Sequence, residues 1–256
     1  MVETNEYVSM TRDYYNNRLG NETNTSELNM EDWFRWELIE KKMKSFLKGN
    51  ASENINILDF GCGTGWLSNL LSKYGNVTGI DLSEKAIELA SQKYKDVHFV
   101  SFDASSKEFE KIKETKFDFI VSSEVIEHVQ DQREYFANMM SLLKPDGFLI
   151  LTTPNAQWKK NYFYKDRTDW GQPFEFWLDP ATLAKMGEPY LKDIKVSSFN
   201  SADLLNLKSF GLFNFFGNRL VKKIMRVTGL YPAYCNVLDK AGYGLYLILT
   251  GRKNGF

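Results

Sequence analysis

The sequence predicts an α/β fold whose centre is a doubly wound, mostly parallel sheet. Between residues 55 and 153, five short apolar runs alternate with segments whose apolar residues recur at helical spacing. Parallel strands need long crossover connections, usually helices, and strands covered on both faces are almost continuously apolar. A glycine-rich turn directly after the first apolar run is also typical of this architecture, because ligands bind at the carboxyl ends of such strands.

The order of elements follows from these patterns, with Ser83 as an expected N-cap and Pro145 as the expected end of a helix. Residues 1–27 are polar and are interpreted as an arm or short helix. Helices are predicted at 26–49, 65–74, 83–94, near 105–114 and at 130–145. Strands are predicted at 55–60, 76–81, 97–102, 117–123, 147–153, 191–199 and 243–251.

Three segments are expected to be additions to a central domain. Residues 1–50 form an N-terminal arm and helix, and residues 51–256 form the main domain. Within it, 156–180 is rich in aromatic and basic residues, and 200–241 is too long for a structureless loop. We expect both segments to act as caps over a binding site, with 200–241 as a helical insertion before the last strand.

Composition excludes several functional classes. The 256 residues carry a formal net charge of −1, so no strong overall field indicates a nucleic-acid partner. Two cysteines are too few for a disulfide framework or a cysteine-based zinc site. The N-terminal segment lacks a basic stretch followed by an apolar one, and no apolar run reaches the length of a membrane span. We therefore expect a cytoplasmic protein.

The turn after the first strand indicates what the site binds. Asp59 precedes a turn with glycines at 61, 63 and 65, and Asp81 ends the second strand. An acid about 20 residues beyond such a turn is suited to accept the hydroxyls of a ribose. A dinucleotide motif has glycine at its sixth position, where this chain has Trp66, and the Asp59 charge would repel a pyrophosphate. The pattern therefore favours a nucleoside that carries a positive charge.

These motifs resemble those of the class I S-adenosylmethionine-dependent methyltransferases. "ILDFGCGTG", "VTGIDLS", "VSFDAS", "FDFIVSSEVIEHV" and "LLKPDGFLILTTPN" occur in that family's order over residues 54–155. The resemblance implies a Rossmann-like sheet of seven strands, with S-adenosylmethionine as the cofactor. It places the methionine part near Gly61, Gly63 and Ser123, the ribose near Asp81 and the adenine near Asp103. The full set of implied cofactor-binding residues is Asp59, Gly61, Cys62, Gly63, Asp81, Leu82, Asp103, Ala104 and Ser123.

A cluster of Glu124, Glu127 and His128 directly follows the fourth predicted strand. On a helical turn, positions i, i+3 and i+4 share one face. Three interpretations remain open. His128 is a general base, since imidazole titrates near neutral pH; or the three residues bind a divalent ion such as Mg²⁺; or the two glutamates are solvated turn residues and His128 is a cap.

The same cluster resembles two methyltransferase branches. Ubiquinone-type O-methyltransferases carry E-x-x-E-H, and so do RNA 3′-terminal 2′-O-methyltransferases, which add a further histidine downstream. Here "QPFEFW" at 172–177 occupies that region, and the other histidine, His98, lies earlier in the chain. We therefore expect O-methylation of a small molecule such as a phenol, a sugar or a surface-glycan precursor. An RNA-directed enzyme and a non-catalytic cofactor-binding protein are the alternatives.

The sequence indicates the binding partners of the protein less specifically than it indicates the cofactor. A small-molecule acceptor is expected, and a nucleic acid is not. Residues 209–227 are basic and aromatic, a pattern that some membrane-surface helices share, but a lid or dimer face is the favoured interpretation. The sequence leaves monomer and homodimer equally open.

Overall fold

A seven-stranded sheet forms the centre of the computed structural model, which describes residues 4–21, 30–48, 55–103, 114–161, 175–199, 227–228 and 230–255. The strand order is β3-β2-β1-β4-β5-β7-β6. The first five strands pair in parallel, and β7 runs antiparallel between β5 and β6. The predicted fold class is confirmed. The strands are β1 (Ile55–Phe60), β2 (Gly75–Asp81), β3 (His98–Ser101), β4 (Phe117–Ser123), β5 (Leu143–Pro154), β6 (Leu191–Phe199) and β7 (Tyr246–Lys253).

Helices flank this sheet and also precede it. Two of them come before the first strand, so the predicted N-terminal arm is helical over most of its length. The expected cap of the fourth helix is present, since the Ser83 side chain accepts a hydrogen bond from the Ala86 N–H at 3.1 Å. The helices are α1 (Thr4–Asn21), α2 (Met30–Lys48), α3 (Trp66–Leu71), α4 (Glu84–Lys93), α5 (Gln132–Leu142), α6 (Ala156–Asn161), α7 (Pro180–Gly187) and α8 (Leu230–Lys240).

Apolar side chains cover both faces of the sheet, which is why its central strands are nearly continuously apolar. On one face, α2 and α3 pack on the sheet through residues that include Ile39, Met43 and Leu71. On the other face, α5 and α7 pack through residues that include Phe136 and Leu183. The sheet is therefore buried between two helical layers, as a parallel sheet requires.

The boundary predicted between the helix at 130–145 and the strand at 147–153 was wrong. The helix expected over 130–145 ends at Leu142, and β5 begins at Leu143 instead of Gly147. The pairing of β4 with β5 is irregular between Phe117 and Phe119, and Asp146 has a φ of 59°. Pro145, which cannot donate a ladder hydrogen bond, is thus accommodated at an irregularity inside the strand.

Some predicted elements lie partly or wholly outside the described residues. The helix near 105–114 is one of them. The same holds for much of the proposed caps at 156–180 and 200–241, although α6 lies within the first and α8 within the second. No helix in the described part of the chain is long and apolar enough to cross a membrane.

The strand order reverses between β1 and β4, and this reversal determines where a ligand binds. The chain proceeds from β1 to β2 and β3 on one side, and then returns to place β4 on the other side of β1. Connections leave the carboxyl ends of β1 and β4 in opposite directions, so a crevice opens there. The glycine turn and the E-V-I-E-H segment follow these two strands directly.

Packing of α2 on the sheet gives a testable stability difference. Ile39 is fully buried, whereas Trp33 on the same helix is 50% exposed. Ile39→Ala should lower the free energy of unfolding by about 2–5 kcal/mol, because it removes buried methyl groups and leaves a cavity. Trp33→Ala, the matched control, should change it by less than about 0.5 kcal/mol. Urea denaturation measures both, and equal losses would contradict the packing described.

Candidate active site

A cavity of about 410 Å³ lies at the carboxyl edge of the sheet, where β1 and β4 diverge. It is lined by the segments that follow β1, β2, β3 and β4, and by side chains from α1 and α2. Of the residues expected at the site, Glu127 is buried and does not line the cavity, and Ala104 is outside the described residues. Ten residues expected at the site line this cavity: Asp59, Gly61, Cys62, Gly63, Asp81, Leu82, Asp103, Ser123, Glu124 and His128.

The glycine turn brings the main chain against this cavity. Gly61 has a φ of 89°, and a Cβ there would lie 2.4 Å from the Val125 side chain. A Cβ on Gly63, whose φ is 52°, would meet no atom within 4 Å. Glycine is thus required at Gly61 by packing, and at Gly63 it leaves the main chain open to a ligand.

Asp81 is held in place by main-chain donors. Its Oδ2 accepts a hydrogen bond from the Gly63 N–H at 2.8 Å, and its Oδ1 accepts one from the Ser83 N–H at 2.8 Å. Burial raises the pKa of Asp81, and these hydrogen bonds counteract the rise. Each carboxylate oxygen has two lone pairs, so both retain capacity for a further donor such as a ribose hydroxyl.

Asp59 lies deeper, at the end of β1. Its side chain is 1% exposed and accepts a hydrogen bond from the Ser68 hydroxyl at 2.6 Å. Burial raises the pKa of Asp59 to about 7, although the Ser68 hydrogen bond acts in the opposite direction. A cation that enters the cavity would favour the ionised form of this group.

The E-V-I-E-H segment is not the α-helical turn that the spacing predicts. Glu124 has a φ of 58°, which is uncommon for a residue other than glycine, and Ile126–His128 form a short 3₁₀ turn. The prediction that all three polar side chains share one helical face is therefore wrong. The irregular main chain instead directs Glu124 and Glu127 to different partners.

Glu127 is buried beside His128. One of its carboxyl oxygens accepts a hydrogen bond from the Thr153 hydroxyl at 3.0 Å, and the other lies 3.7 Å from the His128 Nε2. Burial, reinforced by the negative charge of Glu124, raises the pKa of Glu127 well above its usual range. His128 itself faces the cavity, so Glu127 supports the imidazole from the side away from a ligand.

Glu124 pairs with a cation that the sequence analysis did not identify. Its Oε1 lies 3.8 Å from the Nε of Arg35, which is 8% exposed and reaches the cavity from α2. Burial alone would lower the pKa of Arg35, but the charge of Glu124 and other neighbouring groups raises it. Within the described ranges, no group of three His, Cys, Asp or Glu side chains is arranged to hold a metal ion. This arrangement does not support the predicted three-ligand metal site.

Helix α1 supplies one wall of the cavity, although the sequence pattern predicts only an arm or short helix over residues 1–27. Its cavity-lining residues are Tyr7, Val8, Thr11, Tyr15 and Arg18. Their recurrence at helical spacing was the signal that could have identified the whole face. Arg35 lies four residues before Ile39 and eight before Met43, on the buried face of α2, so its helical spacing could have identified it. It was missed because an arginine usually faces solvent.

Comparison with known proteins connects this geometry to a family. Residues 34–230 match a family model described as "Methyltransferase domain". A ubiquinone biosynthesis O-methyltransferase of Coxiella burnetii is 35% identical over 111 residues, which are 43% of this chain and 47% of that protein. One of Pelagibacter ubique is 36% identical over 129 residues, which are 50% of this chain and 53% of that protein. The chain thus spans about half the length of these curated relatives.

Solved structures agree in fold. The magnesium protoporphyrin IX methyltransferase of Synechocystis PCC 6803 with bound SAM is similar with a TM-score of 0.57 at 15% identity, covering 97% of both chains. The N-methyltransferase NodS of Bradyrhizobium japonicum WM9 in complex with S-adenosylhomocysteine has a TM-score of 0.57 at 17% identity, covering 94% of this chain and 99% of that one. The [4+2]-cyclase SpnF has a TM-score of 0.60 at 16% identity and covers 97% of both.

Such low identities establish the shared architecture alone, whereas the family match extends over well over half of the 256 residues. The motifs, the strand order and the match agree with one another. The chain therefore belongs to the methyltransferase-domain family, and its motifs and fold resemble those of class I S-adenosylmethionine-dependent methyltransferases, the ubiquinone O-methyltransferase branch in particular.

Proposed function

We propose that this chain transfers the methyl group of S-adenosylmethionine to a hydroxyl group of a small molecule held in the cavity. The observation that carries the proposal is the convergence of the glycine turn, Asp81 and His128 on one cavity of about 410 Å³. The first two suit a nucleoside, and the third suits proton removal from an acceptor beside it.

The cofactor fits the donors and charges of the cavity wall. Asp81 would accept the ribose hydroxyls, and Asp103 would face the adenine edge. Asp59 would lie near the positive charge of the methionine part. Arg35 is the buried cation of the wall and is suited to the carboxylate of the same part. The methyl group would then point to the region between Ser123 and His128.

Methyl transfer is an in-line displacement, in which the acceptor oxygen bonds to the methyl carbon as the carbon–sulfur bond breaks. Alignment of the reacting atoms alone supplies up to about 7–11 kcal/mol of barrier reduction. A hydroxyl oxygen is a poor nucleophile until its proton leaves. His128 would take that proton. The imidazolium that forms would favour the ionised form of Glu127, 3.7 Å from its Nε2, and the resulting carboxylate would in turn stabilise the imidazolium.

A divalent ion is the less favoured version of the same site. The positive partner of Glu124 in this structure is Arg35, at 3.8 Å, and Glu127 is directed to Thr153 and His128. Oxygen ligands of Mg²⁺ must converge on one point. A metal would therefore require the Glu124–Arg35 pair to separate, whereas the lone base requires no rearrangement of these acids.

The first prediction concerns the ribose site. Asp81→Asn should weaken S-adenosylhomocysteine binding roughly 5- to 150-fold, which corresponds to about 1–3 kcal/mol for a lost charged hydrogen-bond acceptor. Glu84→Gln, which alters an exposed acid in the first turn of α4, should leave affinity unchanged. Isothermal titration calorimetry measures both variants, and an unaltered affinity for Asp81→Asn would reject this placement.

A second prediction concerns pH. Since burial raises the pKa of Asp59 to about 7, the empty folded protein holds a proton between pH 4 and 7 that the unfolded chain has released. Stability from this group is therefore lost as the pH rises, by roughly 3 kcal/mol between pH 5 and 8. Asp59→Asn should remove this part of the decrease in the free energy of unfolding with pH, which urea denaturation at a series of pH values measures. Asp118→Asn, at the opposite end of the strands, should keep the slope of the unmodified protein. If the free energy of unfolding depended on pH in the same way in all three proteins, the raised pKa of Asp59 would be refuted.

A third prediction concerns the base. His128→Ala should lower S-adenosylhomocysteine formation, measured with a panel of phenols, catechols and sugars, about 10²- to 10⁴-fold. Cofactor affinity should change less than twofold. His98→Ala is the matched control, because His98 is the chain's other histidine and is exposed on β3.

The same assay distinguishes His128 as a lone base from a metal-assisted mechanism, from catalysis by alignment alone and from a non-catalytic role. Activity lost with a chelator and restored by Mg²⁺ would favour the metal, and indifference to the chelator favours the lone base. Unchanged turnover in His128→Ala would mean that catalysis relies on alignment alone. Absence of S-adenosylhomocysteine formation with every acceptor would favour a non-catalytic role.

A further inference from the structure

We propose that helix α1 belongs to the catalytic apparatus, with Tyr7 and Tyr15 as positioning residues that hold His128 and shield its imidazole from bulk water. This inference rests on the proposed function, because it gives His128 the role of base. It concerns two side chains that line the same cavity from the N-terminal helix, about 12 Å apart along its axis.

Tyr7 acts on the main chain of His128. It is 5% exposed, and its hydroxyl donates a hydrogen bond to the His128 carbonyl at 2.9 Å. The two preceding carbonyls are held in the same way. The Gln132 side chain donates to Ile126 at 2.9 Å, and the Phe176 N–H donates to Glu127 at 2.7 Å. The three consecutive carbonyls of residues 126–128 thus accept hydrogen bonds from three separate parts of the chain. Helix α1 supplies the donor to His128, the proposed base.

Tyr15 acts on the imidazole itself. The two ring centroids lie 6.1 Å apart, with the planes at 73°, which is an edge-to-face contact. Burial raises the pKa of Tyr15, and the negative charges of Glu127 and Asp81 add to the rise, so the phenol stays neutral at physiological pH. Tyr15 thus lines the cavity directly beside the imidazole.

Contacts along α1 fix the helix firmly enough for this role. Asn16 Oδ1 accepts hydrogen bonds from the Ser83 hydroxyl at 2.6 Å and the Lys85 N–H at 3.2 Å, at the start of α4. Arg12 lies 3.7 Å from Asp103, just beyond β3. The helix is therefore attached to the segments after β2, β3 and β4. A base is effective only when its rotamer is locked by such support.

The chain offers a direct probe, because it contains only two histidines. Diethyl pyrocarbonate acylates accessible imidazoles, and the rates at His128 and His98 can be separated by mass spectrometry. Tyr15→Ala should raise the His128 rate at least fivefold relative to His98. Tyr15→Phe keeps the ring and should restore the rate to within twofold of the unmodified protein. Met10→Ala is the matched control, since Met10 is 42% exposed on the same helix.

Tyr7→Phe tests the main-chain contact separately. It removes only the hydroxyl, so the imidazole resonances of His128 should shift in two-dimensional NMR while those of His98 stay unchanged. Tyr15→Leu replaces Tyr15→Ala if the smaller side chain prevents folding, which thermal unfolding would reveal. A His128 rate in the Tyr15→Ala or Tyr15→Leu protein within twofold of Met10→Ala would overturn the proposal. So would unchanged His128 resonances in Tyr7→Phe.

Failure of this inference is distinguishable from failure of the proposed function. If the unmodified protein neither binds S-adenosylhomocysteine nor produces it, the methyltransferase proposal fails. If it does both while the tyrosine variants leave His128 unaffected, the enzyme assignment stands and α1 is only a cover.

Discussion

The burial of carboxyl groups at one edge of the sheet is the constraint on which the site depends. Asp59 and Glu127 are almost fully buried, and Asp81 and Glu124 lie largely out of solvent beside them. Burying ionised carboxylates is unfavourable unless they are paired or hydrogen-bonded. In the described structure, Arg35 is the buried cation paired with Glu124, and burial raises the pKa of all four carboxyl groups. Under the proposed function, a ligand with a sulfonium and an ammonium group would favour the ionised forms of these acids.

The two N-terminal helices add walls to the cavity at this edge of the sheet. The segments after the strands supply the carboxyl groups and His128, whereas α2 supplies Arg35 and α1 supplies Tyr7 and Tyr15. Both helices precede the first strand, yet their side chains reach the ends of β2, β3 and β4. The N-terminal region thus lines the candidate site, outside the shared sheet, where substrate specificity is commonly determined.

Sequence reasoning was most accurate where hydrophobic burial determines the structure. The predicted strands 55–60 and 117–123 agree with the observed ones, because most of their side chains are buried between the two helical layers and are therefore apolar. The edge strand 191–199 also agrees, although its side chains are buried mainly at its two ends. It was wrong at Glu124, because a positive φ at a residue other than glycine leaves no sequence signal. It also missed Arg35, because its partner Glu124 is distant in sequence and because an arginine is rarely expected on the buried face that Ile39 and Met43 share. These are contacts that tertiary structure alone creates.

A crystal structure with S-adenosylhomocysteine bound tests the central claim most directly. The account predicts the ribose hydroxyls within about 3 Å of Asp81, the adenine beside Asp103 and the carboxylate of the homocysteine part near Arg35. The sulfur atom should then point to the space between Ser123 and His128. Density for the ligand outside this cavity, or a reversed ligand with its adenine beside His128, would contradict the account.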